Sequence, residues 1–176
     1  EALWRSVTQP MPFLRGLSRE ETQRLRAFAL LLLVEKQFSG ARGLELDDAM
    51  RLAIAVQACL PVLQLGLDRY DAWSEIVVYP GDFKVRIRET DDGGVVHEFD
   101  DERAGESWQG GPVVLSWDAA VNAPGMNVVI HEFAHKLDMR RGDANGHPPL
   151  HADMSSRDWK RVFSEAYEDF AARVDA

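Results

Sequence analysis

The sequence predicts an α+β chain with a small mixed sheet, on three observations. Helical periodicity occupies both ends, β-branched runs occupy the middle, and a His-Glu-x-x-His string lies on an amphipathic stretch that follows the strands. At 176 residues the chain reads as one domain, long enough to bury a core without disulfide or metal staples. Its N-terminal helical portion covers about 1–70, the sheet and motif helix about 75–140, and a last helix about 156–174.

Residues 1–17, with Pro10 and Pro12, read as an irregular lead-in. Ser18-Arg19-Glu20-Glu21 has the form of a capping box and starts the first helix. Leu25, Phe28 and Leu32 recur on one face; Leu31, Leu33 and Val34 widen the stripe, so this helix is expected to be well buried and to end at Gly40–Gly43. A second helix is expected from Asp47 or Asp48 through Met50, Ile54 and Ala58, kinked or ended by Pro61.

Ile76–Tyr79, closed by Pro80-Gly81, is the first strand. Val85 and Ile87, alternating with Arg86 and Arg88, give a second, and Val95–Phe99 a third, joined through Asp91-Asp92-Gly93-Gly94 as a hairpin. Val113–Trp117 is the fourth. Pro124-Gly125 precedes the motif helix, about Met126–Met139, and a polar loop covers 142–149. Trp159, Phe163, Ala166, Tyr167 and Phe170 form one stripe of the last helix.

Composition narrows the function. Hydrophobic residues at 45% and charged ones at 28% are an ordinary globular mix. Twenty Lys+Arg against 29 Asp+Glu give a net −9, which disfavours nucleic acid and anionic membrane as partners. The apolar run Phe28–Val34 is far short of the roughly 20 residues that span a bilayer. Glu1–Trp4 has no basic region leading an apolar stretch, so no signal peptide is read there. Cys59, the one cysteine, excludes an intrachain disulfide and fits a reducing cytoplasm. Residues 89–106 hold eight carboxylates and one arginine, −7 of the −9. This is either a solvated hairpin or a surface that attracts basic partners.

The chemistry lies in Val128–Asp138. Four residues are about one helical turn, so His131 and His135 can aim their imidazoles at one ion, and zinc accepts such nitrogens while keeping a position open for water. Glu132 is then the general base. A catalytic zinc takes a third protein ligand. Asp138 and Arg141 exclude the metzincin extension, which needs Gly and His there. Within the chain the candidates are Glu165, Glu168, His147 and His151; each also reads as plain surface. Asp138, three residues after His135, either bonds a ligand imidazole or is a polar helix terminus. Gly110-Gly111 either makes a turn or lets backbone approach a substrate. Val113–Trp117, the last strand before the motif helix, is either an edge strand above it, where an extended peptide could pair, or plain sheet core.

Cys59–Leu67, Val77–Pro80, Ser107–Trp117, Asn127–Asp138 and Gly142-Asp143 together resemble the Mlc titration factor A (MtfA) family of zinc metallopeptidases over nearly the whole chain. The resemblance implies a cytoplasmic bacterial zincin-like fold, Zn2+, and aminopeptidase-like hydrolysis of peptide substrates. It also implies binding to a glucose-responsive transcriptional repressor, Mlc. His131 and His135 match the family's zinc ligands and Glu132 its catalytic glutamate. The family's third ligand is a Glu in a later segment, expected beyond residue 176, and its transition-state Tyr goes with it; Tyr167 stands too early to match. The C-terminal helical part is therefore expected to be truncated. Three functions are carried forward: a zinc peptidase, a non-catalytic repressor-binding module, and a fragment inactive for want of its third ligand.

Overall fold

The computed structural model describes residues 1–90, 96–122 and 125–174, without the side chains of 86–90 and 96–102. The turn expected at 91–94, the strand start at Val95, Pro124 and the acidic side chains of 89–102 lie outside what is described.

The lead-in is more ordered than expected. Helix α1 spans Ala2–Thr8 and a 3-10 turn spans Pro12–Leu14, where Pro at the first position suits a helix start. Val7 is buried and Trp4 packs against the core, so α1 is anchored on α3 (Asp48–Cys59).

Helix α2 spans Arg19–Glu35 and opens with the expected capping box. The Glu21 N–H donates to Ser18 Oγ at 3.1 Å, and the Ser18 N–H to the Glu21 carboxylate at 2.9 Å. Its buried side is narrower than the pattern implied. Leu25, Ala29 and Leu32 are buried, whereas Leu30, Leu31 and Val34 are exposed. The helix stops at Glu35, and Gln37–Gly40 is a strand, β1. Tertiary pairing explains this: β1 lies parallel to β2 (Glu75–Tyr79), with Phe38 opposite Ile76, and captures residues that local pattern left to the helix end.

Asp47 caps α3, its Oδ1 accepting the Met50 N–H at 2.7 Å. Every residue from Leu52 to Cys59 is buried. Helix α3 ends two residues before Pro61 and lies against α1, α2 and α5 (Val128–Asp138).

The four-stranded sheet has the order β1-β2-β6-β5, with β6 at Val113–Ser116 and β5 at Gly105–Ser107. The first three strands run parallel and β5 antiparallel to β6, so the sheet is mixed as expected. Ile76, Val78, Val113 and Leu115 enter the core. β3 (Phe83–Thr90) and β4 (Val96–Arg103) form the expected hairpin, paired with each other rather than with the larger sheet. One assignment is corrected here. β6 sits between β2 and β5, so Val113–Trp117 is not an edge strand; β5 is. Trp117 instead begins a short helix, α4 (Trp117–Asn122).

Helix α6 spans Ser156–Val174 as expected, but buries none of its residues. No helix among the described residues is long and apolar enough to cross a membrane.

Candidate metal centre

Helix α5 carries the His-Glu-x-x-His string and is fixed from three sides. At its start, Asn127 Oδ1 accepts the Ile130 N–H at 2.9 Å, and the Asn127 amide donates to the Gln57 side chain on α3 at 2.7 Å. Along its inner face, Val128, Val129, Glu132, Phe133 and Lys136 are buried. Phe133 meets Tyr70 and Trp73 edge-on, at centroid separations of 5.3 and 5.5 Å. Above it, Ser107 Oγ on β5 donates to the Glu132 carbonyl at 2.8 Å.

On this rigid element His131 and His135 face outward, and their Nε2 atoms approach to 3.1 Å. Two nitrogens held about 2.0–2.1 Å from a tetrahedral ion stand about 3.3 Å apart. The donor pair therefore fits zinc in chemistry and in spacing. Glu132 turns a quarter of the way round the helix from the imidazoles and is only 5% exposed. A Cβ at Gly105 would sit 2.6 Å from its Oε1, so β5 lies directly on the carboxylate.

The candidates for a third ligand do not join the pair. Glu165 is engaged by Arg161, whose Nη1 donates to both its carboxylate oxygens at 3.1 and 3.2 Å on exposed α6. Glu168 is exposed on the same helix. His151 lines the same cavity of about 500 Å³ as the imidazoles, with Ala134, Leu137, Leu150 and Trp159 among its apolar walls, while His147 lies on the loop outside it. Among the described residues no three His, Cys, Asp or Glu side chains gather closely enough to hold an ion. Asp138 lines the same cavity but bonds elsewhere than to the imidazoles: its Oδ2 accepts the Gly146 N–H at 2.7 Å, and its Oδ1 is buried without a hydrogen-bond partner. Gly146 in turn accepts the Trp159 indole N–H at 2.9 Å, which ties α6 to the end of α5.

Three residues at this site were not read from the sequence. Gly105 and Ser107 belong to a three-residue strand too short to show a period. Lys136 did leave a signal, since it falls on the same face as Val129, Glu132 and Phe133, where a solvated lysine is out of place. It is 4% exposed, and its Nζ donates to the Trp108 and Gly111 carbonyls at 2.6 Å each while lying 5.0 Å from the Trp73 ring centroid. Burial, with the nearby Lys36 cation adding to it, pulls its ammonium down to about 8. Gly110 has φ +65° in the turn Trp108–Gly111, closed by the Gly111 N–H on the Trp108 carbonyl at 3.1 Å. The Gly110-Gly111 pair thus makes a turn.

An α+β frame that presents two converging imidazoles beside a buried carboxylate is the arrangement metal-dependent peptidases use. The family model described as glucose-regulated metallo-peptidase M90 matches residues 1–176, and the chain belongs to that family. It is 39% identical to Mlc titration factor A of Cronobacter sakazakii over 168 residues, which is 94% of this chain and 63% of that protein. Mlc titration factor A of Salmonella arizonae is 42% identical over 168 residues, 94% of this chain and 67% of that protein. A further relative, from Synechocystis, is 38% identical over 179 residues, 98% of this chain and 65% of its own. The chain thus spans about two thirds of the length of the curated relatives it matches.

Proposed function

We propose that this chain is the zinc-dependent catalytic part of an aminopeptidase-like metallopeptidase with a zincin-like fold, His131 and His135 being two zinc ligands and Glu132 the general base. The observation that carries this is the 3.1 Å approach of the two Nε2 atoms on the helix that also buries Glu132. Zinc held by His131 and His135 would supply Lewis acidity, which lowers the pKa of a water to about 7 in such sites. Glu132 takes the proton at its carboxylate and passes it to the leaving amine. Strand β5, lying directly on that carboxylate at Gly105, keeps it from swinging away. The third ligand is proposed, as the family resemblance implies, to come from outside residues 1–176; among the described residues Glu165, Glu168, His147 and His151 do not gather with the pair. An extended peptide substrate would pair with the free edge of β5.

The name of the relatives, Mlc titration factor A, supports a second element of the proposal, binding of an Mlc-like transcriptional repressor, and with it a cytoplasmic location. The first test is Glu132→Gln. Peptide hydrolysis should fall by roughly 100-fold or more with zinc still bound. Hydrolysis at the parent rate would remove Glu132 from its role. Repressor capture that survives both this substitution and zinc removal would favour a binding module without catalysis.

A further inference from the structure

The register of β5 decides which of its main-chain groups are free. Gly105 stands opposite Leu115, Glu106 opposite Val114 and Ser107 opposite Val113. The Ser116 N–H donates to the Ala104 carbonyl at 2.7 Å, and the Trp108 N–H to the Pro112 carbonyl at 3.3 Å. In an antiparallel ladder hydrogen-bonded positions alternate, so Ala104, Glu106 and Trp108 face β6. The N–H and C=O groups of Gly105 and Ser107 therefore point to the outer edge, where no further strand pairs among the described residues.

Those two residues also face α5 from above, Gly105 against the Glu132 carboxylate and Ser107 bonded to the Glu132 carbonyl. One turn along the helix, Lys136 holds the Trp108 and Gly111 carbonyls, the two ends of the turn that leaves β5. Burying an ammonium costs free energy unless its donors are used, and here two go to carbonyls of one turn. A core-filling role alone would be met by an apolar side chain of similar length.

We propose that Lys136 is a positioning residue for extended substrates: by clamping the Trp108–Gly111 turn to α5 it fixes the outward main-chain groups of Gly105 and Ser107 over Glu132. This rests on the peptidase reading of the site. The ammonium and the glutamate share one helix face, so the distance between edge and base is set by a single helical turn.

The test uses the full-length protein with zinc, comparing parent, Lys136→Met and Lys136→Arg. In Lys136→Met, hydrogen exchange of amides 105–111 should speed up about tenfold or more. The preference for an extended peptide over a single-residue chromogenic amide, as a ratio of kcat/KM, should fall about tenfold, mainly through KM. Lys136→Arg should recover part of both, since it keeps the charge and the donors. Unchanged exchange, or equal loss on the two substrates, would overturn the proposal. If Lys136→Met does not fold, Ser107→Ala frees the same strand at its other tie and is judged by the same two readouts. If the parent cleaves neither substrate, the peptidase reading fails by itself. Binding of the extended peptide to parent and Lys136→Met, followed by calorimetry, then decides: equal affinity counts against Lys136 and weaker binding by the variant supports it.

Discussion

A Cβ on Gly105 would lie 2.6 Å from Oε1 of Glu132 and 2.7 Å from its Cγ, with Val128 Cγ2 at 2.8 Å. Strand and carboxylate are in contact because Gly105 has no side chain. Gly105→Ala must therefore push Glu132 or lift β5. Overpacking of this kind costs about 1–3 kcal/mol, and hydrolysis should fall with it. Glu132→Ala opens the space, so the double variant should recover at least about 1 kcal/mol in urea unfolding relative to the sum of the singles. Additive losses would show that the two residues do not share that space.

Zinc affinity should follow the outward pair. His131→Ala and His135→Ala should each weaken zinc binding by more than about 100-fold, beyond the range typical of residues that only support ligands. Glu165→Gln and Glu168→Gln should leave it within about twofold, because Glu165 is committed to Arg161 and both lie on an exposed helix. Competition against a chromophoric chelator reads both arms. A large loss in either glutamine variant would bring the third ligand inside this chain.

The features legible in sequence are those encoded by neighbours. The capping box at Ser18, the cap at Asp47 and the facing of His131 and His135 each depend on residues three or four apart, within one turn of helix. The hairpin of β3 and β4 was legible from strand alternation for the same reason. What was missed depends on strand pairing rather than on a single turn of helix. β1 exists because Phe38 finds Ile76, and β5 because Ser107 finds Val113. Three- and four-residue strands carry too little pattern to announce themselves. Leu31 and Val34 misled in the opposite direction: their apolarity counted towards burial, yet neither faces a neighbouring element that covers it.

Cys59 gives a pH signature. Burial pushes its thiol up to about 12, whereas an unfolded cysteine titrates near about 8.5. Below about 8.5 both states hold the proton and the residue contributes no pH dependence. Above it the unfolded chain releases its proton first, binds fewer protons than the folded state, and is favoured. Stability attributable to Cys59 should therefore fall between about 8.5 and 12, at up to about 1.4 kcal/mol per pH unit. Lys36 and Lys136, held below their usual range, act in the opposite sense over part of this window. The difference between parent and Cys59→Ala, measured by urea unfolding at each pH, isolates the thiol. A flat difference from pH 8 to 10 would contradict the burial.

Helix α6 should be the least protected helix that the site depends on. Trp159 anchors it, through its indole bond to Gly146 and a 4.2 Å ring contact with Phe163. Past that point Phe163, Tyr167, Phe170 and Val174 are 55–73% exposed, so little burial offsets the entropy of ordering the helix. Amides of 165–174 should exchange well before those of Val128–Asp138 at the same pH and temperature. Tyr167→Ser and Phe170→Ser should change global stability by less than about 0.5 kcal/mol while lowering the binding of an apolar dye. Trp159→Phe removes the indole N–H but keeps an aromatic ring, and should speed exchange across α6 without shifting that of α5. Protection of 165–174 equal to that of α5 in this 176-residue chain would mean that the stripe is covered, and the serine substitutions would then cost several times more.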